Sequence, residues 1–472
     1  MAENVLNTAE KKEIEAAIEI AEELYCDGKS DECDAAFQAL LDKYTQPKEQ
    51  IHIIKRWNEC LKAIYNDLIE KLRYGEALEL CSKALLFLGK YPVELNDELL
   101  SMQNDYANCL KHNDKQEQAI EIYKELIIKC TAKYGKDANN TLISFGNLAG
   151  SLKDTGKLPA AIQMRTCAVN GLLQLHGKKN RDYMRELSNL SDDYSLLGNM
   201  QKAINLESQV YKLRKKNLGK HNIYTIDSPN IIASFYRTMM QYSKAIFFYK
   251  KARSLTLVDD YYTLTSAITL AECYACIDQN EKAQQTLNSL SKKISECELK
   301  NNSLQEFREY VYSLIELNNS NYSEAEAHAE EAVKYDSSQD ESAHTSKRFL
   351  AEILFHSGSY EKANRIIEEI HDEYLENENS AILSLNFECL YANIKSAVGD
   401  FQISADALDK AALISRQCRF PAAGFLIASS KAFAAYCRLD MECFERYKSI
   451  ALGYSGWGVD SNSFSVRWLK QL

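Results

Sequence analysis

Small residues recur in this chain at a spacing of 42 positions, and that spacing restricts the fold more than any other feature of the sequence. The series Tyr74, Gln116, Leu158, Met200 and Tyr242 runs without a gap. Three residues after its members stand Ala77, Ala119, Ala161, Ala203 and Ala245, and ten after them Ala84, Leu126, Ala168, Val210 and Ala252. Nine before the last four lie Ala107, Ala149, Ser191 and Ala233. The register continues in shorter steps to Asn280, Tyr322, Tyr360, Phe401 and Met441, whose small partners upstream are Ala271, Ser313, Ala351, Ala392 and Ala432. Backwards it reaches Glu32, giving about eleven units of roughly 38 to 43 residues.

Helix packing explains such a pattern. A small residue on each of two helices lets their backbones approach closely. Each unit therefore reads as helix, tight turn, helix, with the anchor residue opening the second helix and plugging the gap beneath the turn. Turn chemistry falls between the helices, at Asp154-Thr155-Gly156, Leu197-Gly198-Asn199, Gly358-Ser359 and Gly399-Asp400. Pro159 sits in the first turn of a second helix, and Pro229 and Pro421 near the starts of first helices, where a missing N–H costs least. A single helix pair cannot bury its apolar face, so neighbours must stack into a continuous core. The expected fold is all-α, a right-handed superhelical solenoid of about eleven helix-turn-helix repeats. Its expected organisation is a capping, degenerate repeat over 1–50, regular 42-residue repeats over 51–255, shorter and more divergent ones over 256–452, and a tail over 453–472.

One stretch, GSLKDTGKL from Gly150 to Leu158, has the look of a phosphate-binding loop. That loop needs four residues between its glycines and a hydroxyl after its lysine. Here five residues intervene and Leu158 follows, so Gly156-Lys157 reads as the turn of one repeat.

Composition narrows the function classes. The net charge of −11 is spread along the chain and gives no basic face for nucleic acid. The acidic N-terminus MAENVLNTAEKKEIEAAIEIAEEL lacks the layout of a signal peptide, and no apolar run approaches the ~20 residues of a membrane span. No membrane insertion is expected. Fourteen scattered cysteines suit reduced thiols in a cytoplasmic protein. Cys273 and Cys276 form the one CxxC, without the second ligand pair that zinc needs, and read as small buried thiols. Neither a metal site nor a cofactor is expected, and the absence of catalytic motifs argues against an enzyme.

The core Gly–x–Tyr–x–x–Ala, as in SNYSEAEAHAEEAV (Ser320–Val333), GSYEKANRII (Gly358–Ile367) and QYSKAIFFYKKA (Gln241–Ala252), resembles the tetratricopeptide repeat. The 42-residue period, with the connecting segments YGKDANNT, HGKKNRDY and LGKHNIYT, is similar to the repeats of kinesin light chains. The resemblance covers roughly residues 10–450, although no heptad stretch precedes the repeats as it would in a kinesin light chain. It implies a concave surface lined by the first helices. Residues facing it lie about four, five, eight, eleven, twelve and fifteen positions before each anchor. In the central units these include Asn104, Asn108, Lys111, Asn147, Lys153, Arg185, Asn189, Asp192, Asn230 and Arg237. Asparagines grip an extended backbone through donor and acceptor alike, and Lys or Arg select acidic groups. Asn108, Asn147 and Arg185 fall where chaperone-binding tetratricopeptide domains place a carboxylate clamp, but Asn104 and Asn189 replace two basic members of it.

The expected function is a non-enzymatic adaptor holding another protein, or an extended peptide segment, in that groove. Two alternatives stay open: that the row is merely a solvated helix face, and that the chain is a regulatory or sensor subunit embracing a signalling enzyme. The tail GYSGWGVDSNSFSVRWLKQL either covers the last apolar face or docks a partner through Trp457, Phe464 and Trp468.

Overall fold

The computed structural model describes residues 8–91, 93–256, 260–296, 301–335, 342–377, 380–418, 420–455 and 457–472. They form 23 helices, and no strand occurs among the described residues. The chain divides into two compact units, Met1–Leu175 and His176–Leu472.

The first unit holds α1 (Thr8–Cys26), α2 (Ser30–Lys43), α3 (Pro47–Glu70), α4 (Tyr74–Leu88), α5 (Asn96–Lys111), α6 (Gln116–Tyr134), α7 (Asn139–Asp154) and α8 (Leu158–His176). The second runs through α9 (Arg181–Leu196), α10 (Met200–Asn217), α11 (Ile223–Thr238), α12 (Tyr242–Arg253), α13 (Tyr261–Cys276), α14 (Asn280–Glu296), α15 (Asn301–Asn318) and α16 (Tyr322–Tyr335). It continues with α17 (Ser342–His356), α18 (Tyr360–Asn377), α19 (Ala381–Ala397), α20 (Phe401–Ser415), α21 (Pro421–Cys437), α22 (Met441–Ser455) and a short closing α23 (Phe464–Gln471). Odd-numbered helices up to α21 are the first members of pairs. The architecture is an all-α repeat solenoid of eleven tetratricopeptide-like helix pairs.

Ten of the eleven anchors, from Tyr74 to Met441, are the first residues of their helices; Glu32 is the third of α2. The position three after those ten is alanine in eight, with Ser404 and Phe444 in the last two, and none is more than 1% exposed. The small residues nine before an anchor, Ala107 through Ala432, are equally buried. The anchors themselves are less uniform than plugs. Leu158 and Met200 are buried, but Tyr322, Tyr360 and Met441 lie exposed.

Every pair turns in the same way. Two residues before each second helix the backbone is left-handed, at Gly28, Leu72, Asp114, Gly156, Gly198, Met240, Asp278, Ser320, Gly358, Gly399 and Leu439. The following N–H then reaches back five residues, as in Lys157 N–H to Leu152 O at 2.8 Å and Asp440 N–H to Ala435 O at 3.0 Å. This closure satisfies carbonyls that the helix end leaves unpaired. Gly156, the glycine of the phosphate-loop look-alike, is one such turn residue (φ 71°). Pro159 and Pro421 fall at the first turns of α8 and α21. Pro229 lies deeper, at the seventh residue of α11, buried inside the helix where one backbone bond is forgone.

Each unit has its own core. In the first, Phe37 stacks on Trp57 (5.7 Å), whose indole N–H donates to Asp34 at 2.8 Å. A second cluster there joins Ala107, Tyr123, Leu148 and Ala161. In the second unit, one core runs from Ala233 to Phe433, while another unites Met200, Ala203 and Phe235 with Phe425, Phe444, Val466 and Leu469. The last helices of this unit therefore return to its first. A Cβ on Gly198 would stand 2.9 Å from Cys418 Cα, so glycine is required there by closeness as well as by its φ of 80°.

Candidate functional site

The sequence-derived row divides five and five between the units. In the first unit, Asn147 on α7 donates to Asn104 Oδ1 on α5 at 2.7 Å, joining successive first helices through their amides. Asn108 accepts from the buried Tyr123 hydroxyl at 2.6 Å, so it braces the core beneath it. Lys111 pairs with Asp154 at 2.9 Å, and Lys153 is half-buried beside it on α7.

In the second unit, Arg185 is exposed and pairs within α9 with Asp182 (2.8 Å) and Glu186 (3.3 Å). Asn189 and Asp192 are half-buried on the same helix. Asn230 on α11 accepts from Ser266 on α13 at 2.6 Å. Arg237 reaches Glu272 on α13, one guanidinium nitrogen lying 2.9 and 3.0 Å from its two carboxylate oxygens. The Glu272 charge, outweighing burial, holds Arg237 above its usual pKa.

That ion pair opens onto a cleft of about 370 Å³ which the row did not anticipate. Its walls come mainly from the first helices α11, α13, α15, α17, α19 and α21, with Tyr242 of α12 and Tyr374 of α18 from second helices, and α23 lies along one side. A second pair, Arg348 with Glu352 at 3.1 Å, stands within α17. Tyr310 stacks on Phe349 at 3.9 Å, and Asn386 and Asn393 enter from α19. The residues Glu272, Arg348, Glu352, Asn386 and Asn393 lie eight, twelve, eight, fifteen and eight positions before their anchors. The offsets of the central units therefore extend to these later helices.

The tail packs inside the second unit. Phe464 meets His356 edge-on at 4.7 Å, and Trp468 lies 5.2 Å from His356, 5.7 Å from Phe355 and 5.3 Å from Phe433. Burial lowers the His356 pKa to about 3, leaving the ring neutral. Asp460 accepts from Ser243 N–H at 2.7 Å at the start of α12, and Arg467 donates to Asn318 at 2.6 Å. Trp457 stands apart, 81% exposed. Cys273 is buried and Cys276 partly so, and desolvation raises both thiol pKa values. No group of potential metal ligands occurs among the described residues, and none of their helices is long and apolar enough to cross a membrane.

No family model matches the chain, and no curated protein matches it. Solved structures of similar fold are tetratricopeptide-like repeat proteins. One, described as a kinesin light chain with nearly identical TPR-like repeats from Podosopora anserina, is 17% identical over 42% of this chain and 93% of its own, with a TM-score of 0.38. BtubC from P. vanneervenii is 14% identical over 51% of this chain and 90% of its own, at 0.40. A Rap protein complexed with Competence and Sporulation Factor is 14% identical over 85% of this chain and 99% of its own, at 0.48.

Proposed function

We propose that this chain is a non-enzymatic scaffold that holds partner-protein segments along the row residues on the first helices within each unit. The observation that carries the reading is the recurrence of amides and charged groups at a small set of offsets from successive anchors, with Asn104 and Asn147, at neighbouring offsets, already laddered. That bond uses one donor of Asn147 and one lone pair of Asn104. An asparagine carries two of each, so the ladder retains capacity for a partner's backbone. Lys111 and Arg185, both engaged with neighbouring carboxylates, add electrostatic selection at the rim.

The test is quantitative affinity capture from native lysate with the wild type and an Asn147→Ala, Asn189→Ala double variant, folding being checked by circular dichroism. Asn108 is left intact because it braces Tyr123. A partner captured by the wild type and lost by the variant supports the scaffold reading. An unchanged set of captured proteins contradicts it.

A further inference from the structure

The cleft of the second unit differs chemically from the row described above. Its charged lining residues are two arginines and two glutamates, Arg237 with Glu272 and Arg348 with Glu352. Its one lining histidine, His356, is neutral. The walls therefore carry no net charge, and a charged guest would have to compete with an existing, partly buried ion pair for its partner. Between the pairs the surface is aromatic, with Tyr310 and Phe349 stacked on one side and Trp468 of α23 on another.

Three lining side chains also hold buried polar atoms without a hydrogen-bond partner, Arg237 Nε, His356 Nδ1 and Asn393 Oδ1. The first is a donor, the last an acceptor, and the neutral imidazole nitrogen serves as either, so amide groups offer the complements to all three. Buried polar groups are ordinarily satisfied, and a missing partner at a cavity wall points to what the cavity takes. The volume, about 370 Å³, lies within the range of small-ligand sites and is too small for a folded partner.

We infer that this cleft binds a small uncharged compound bearing an aromatic ring and amide groups, enclosed against Trp468 of α23. The aromatic ring lies among Tyr310, Phe349 and Trp468, and the amides meet the polar wall formed by Arg237, Asn386 and Asn393. The cleft shares Arg237 with the partner row, but the ligand need not be part of a protein, and the variants used here leave Asn147 and Asn189 intact, so either reading can fail without the other.

Tryptophan emission reads it directly. The full chain has three tryptophans: Trp57 is buried in the first unit, Trp457 is exposed, and Trp468 lies in the cleft wall. A Trp457→Phe variant leaves Trp468 as the responsive probe. Titration with N-acetyl-phenylalanyl-glycinamide to millimolar concentration should give a saturable change in emission. N-acetyl-phenylalanyl-glycine, with its free carboxylate, and phenylalanyl-glycinamide, with its free amine, should bind at least about tenfold more weakly. Asn386→Phe, which fills the cleft from a half-buried position, should abolish the response while far-UV circular dichroism stays unchanged. A linear, non-saturating response to the neutral probe overturns the inference, as does equal binding of the charged analogues. A response undiminished in a folded Asn386→Phe variant overturns it as well.

Discussion

The left-handed residue in each inter-helix turn invites a reciprocal experiment, Gly358→Ala against Leu439→Gly. Gly358 has φ 86°, and a Cβ placed there would meet nothing within 4 Å. Its substitution is thus free of clashes and tests backbone conformation alone. An L-residue held in the left-handed region costs about 1–2 kcal/mol, partly offset by ~0.5–1 kcal/mol because alanine loses less entropy on folding. The expected net loss is about 1 kcal/mol. Leu439 occupies the equivalent position with φ 59° and a side chain 83% exposed. Replacing it with glycine removes little burial and should stabilise by about 0.5–1 kcal/mol. Each change should stay within its own pair and the neighbouring pairs, as in a quasi-one-dimensional array. Hydrogen exchange is therefore the assay: amides of α17 and α18 should exchange roughly fivefold faster in Gly358→Ala, and those of α21 and α22 a few-fold slower in Leu439→Gly. Faster exchange in Leu439→Gly, or unchanged exchange in Gly358→Ala, would refute the strain argument.

Three further outcomes follow from packing and charge. Ala161→Leu should overpack the buried cluster that also holds Leu148 and Leu152 by ~1–3 kcal/mol and lower the unfolding midpoint of the first unit, measured by thermal denaturation. Asp460→Ala removes a carboxylate that caps the N-terminal turn of α12 through Ser243; a loss of about 1 kcal/mol should accompany greater acrylamide quenching of Trp468. His328 Nδ1 donates to the Glu309 carboxylate at 2.7 Å, and that bond raises its pKa against desolvation, with Glu316 assisting and Arg308 opposing. Its folded value exceeds the unfolded one, so the stabilisation is complete below about pH 6.5 and fades as pH rises through the folded value. Relative to the intrinsic base-catalysed rate, exchange in α15 and α16 should accelerate between pH 6 and pH 8, and Glu309→Gln should flatten that normalised dependence.

The helix pairs were legible because packing leaves a strict trace. A buried small residue three after each anchor, from Ala77 to Ala363, tolerates little else, and the anchors mark helix starts to the residue. The turns were half legible. Gly156, Gly198, Gly358 and Gly399 announce themselves, whereas Leu72, Met240 and Leu439 adopt the same left-handed conformation with side chains that give no hint of it. There the hydrogen-bonded closure and the packed pair impose the backbone against local preference. The row of first-helix residues followed from offsets alone, but the pairing of Asn108 with Tyr123 did not, since Tyr123 belongs to the next helix. The cleft was hidden for another reason. Its walls are drawn mainly from six first helices spread between Arg237 and Ser430, and the return of α23 onto them depends on contacts as remote as Asp460 with Ser243. The boundary near residue 175 falls inside the regular 42-residue series and has no counterpart in composition.

Site-specific photocrosslinking tests the scaffold reading most directly. A benzophenone amino acid is placed at Lys153, on the row of the first helices, and separately at the exposed Lys129 on the second helix α6. Both variants are irradiated in native lysate. Adducts to a defined partner from position 153 and none from position 129 are the predicted result. Adducts from position 129 alone, or from both positions equally, would contradict a partner held along the first helices.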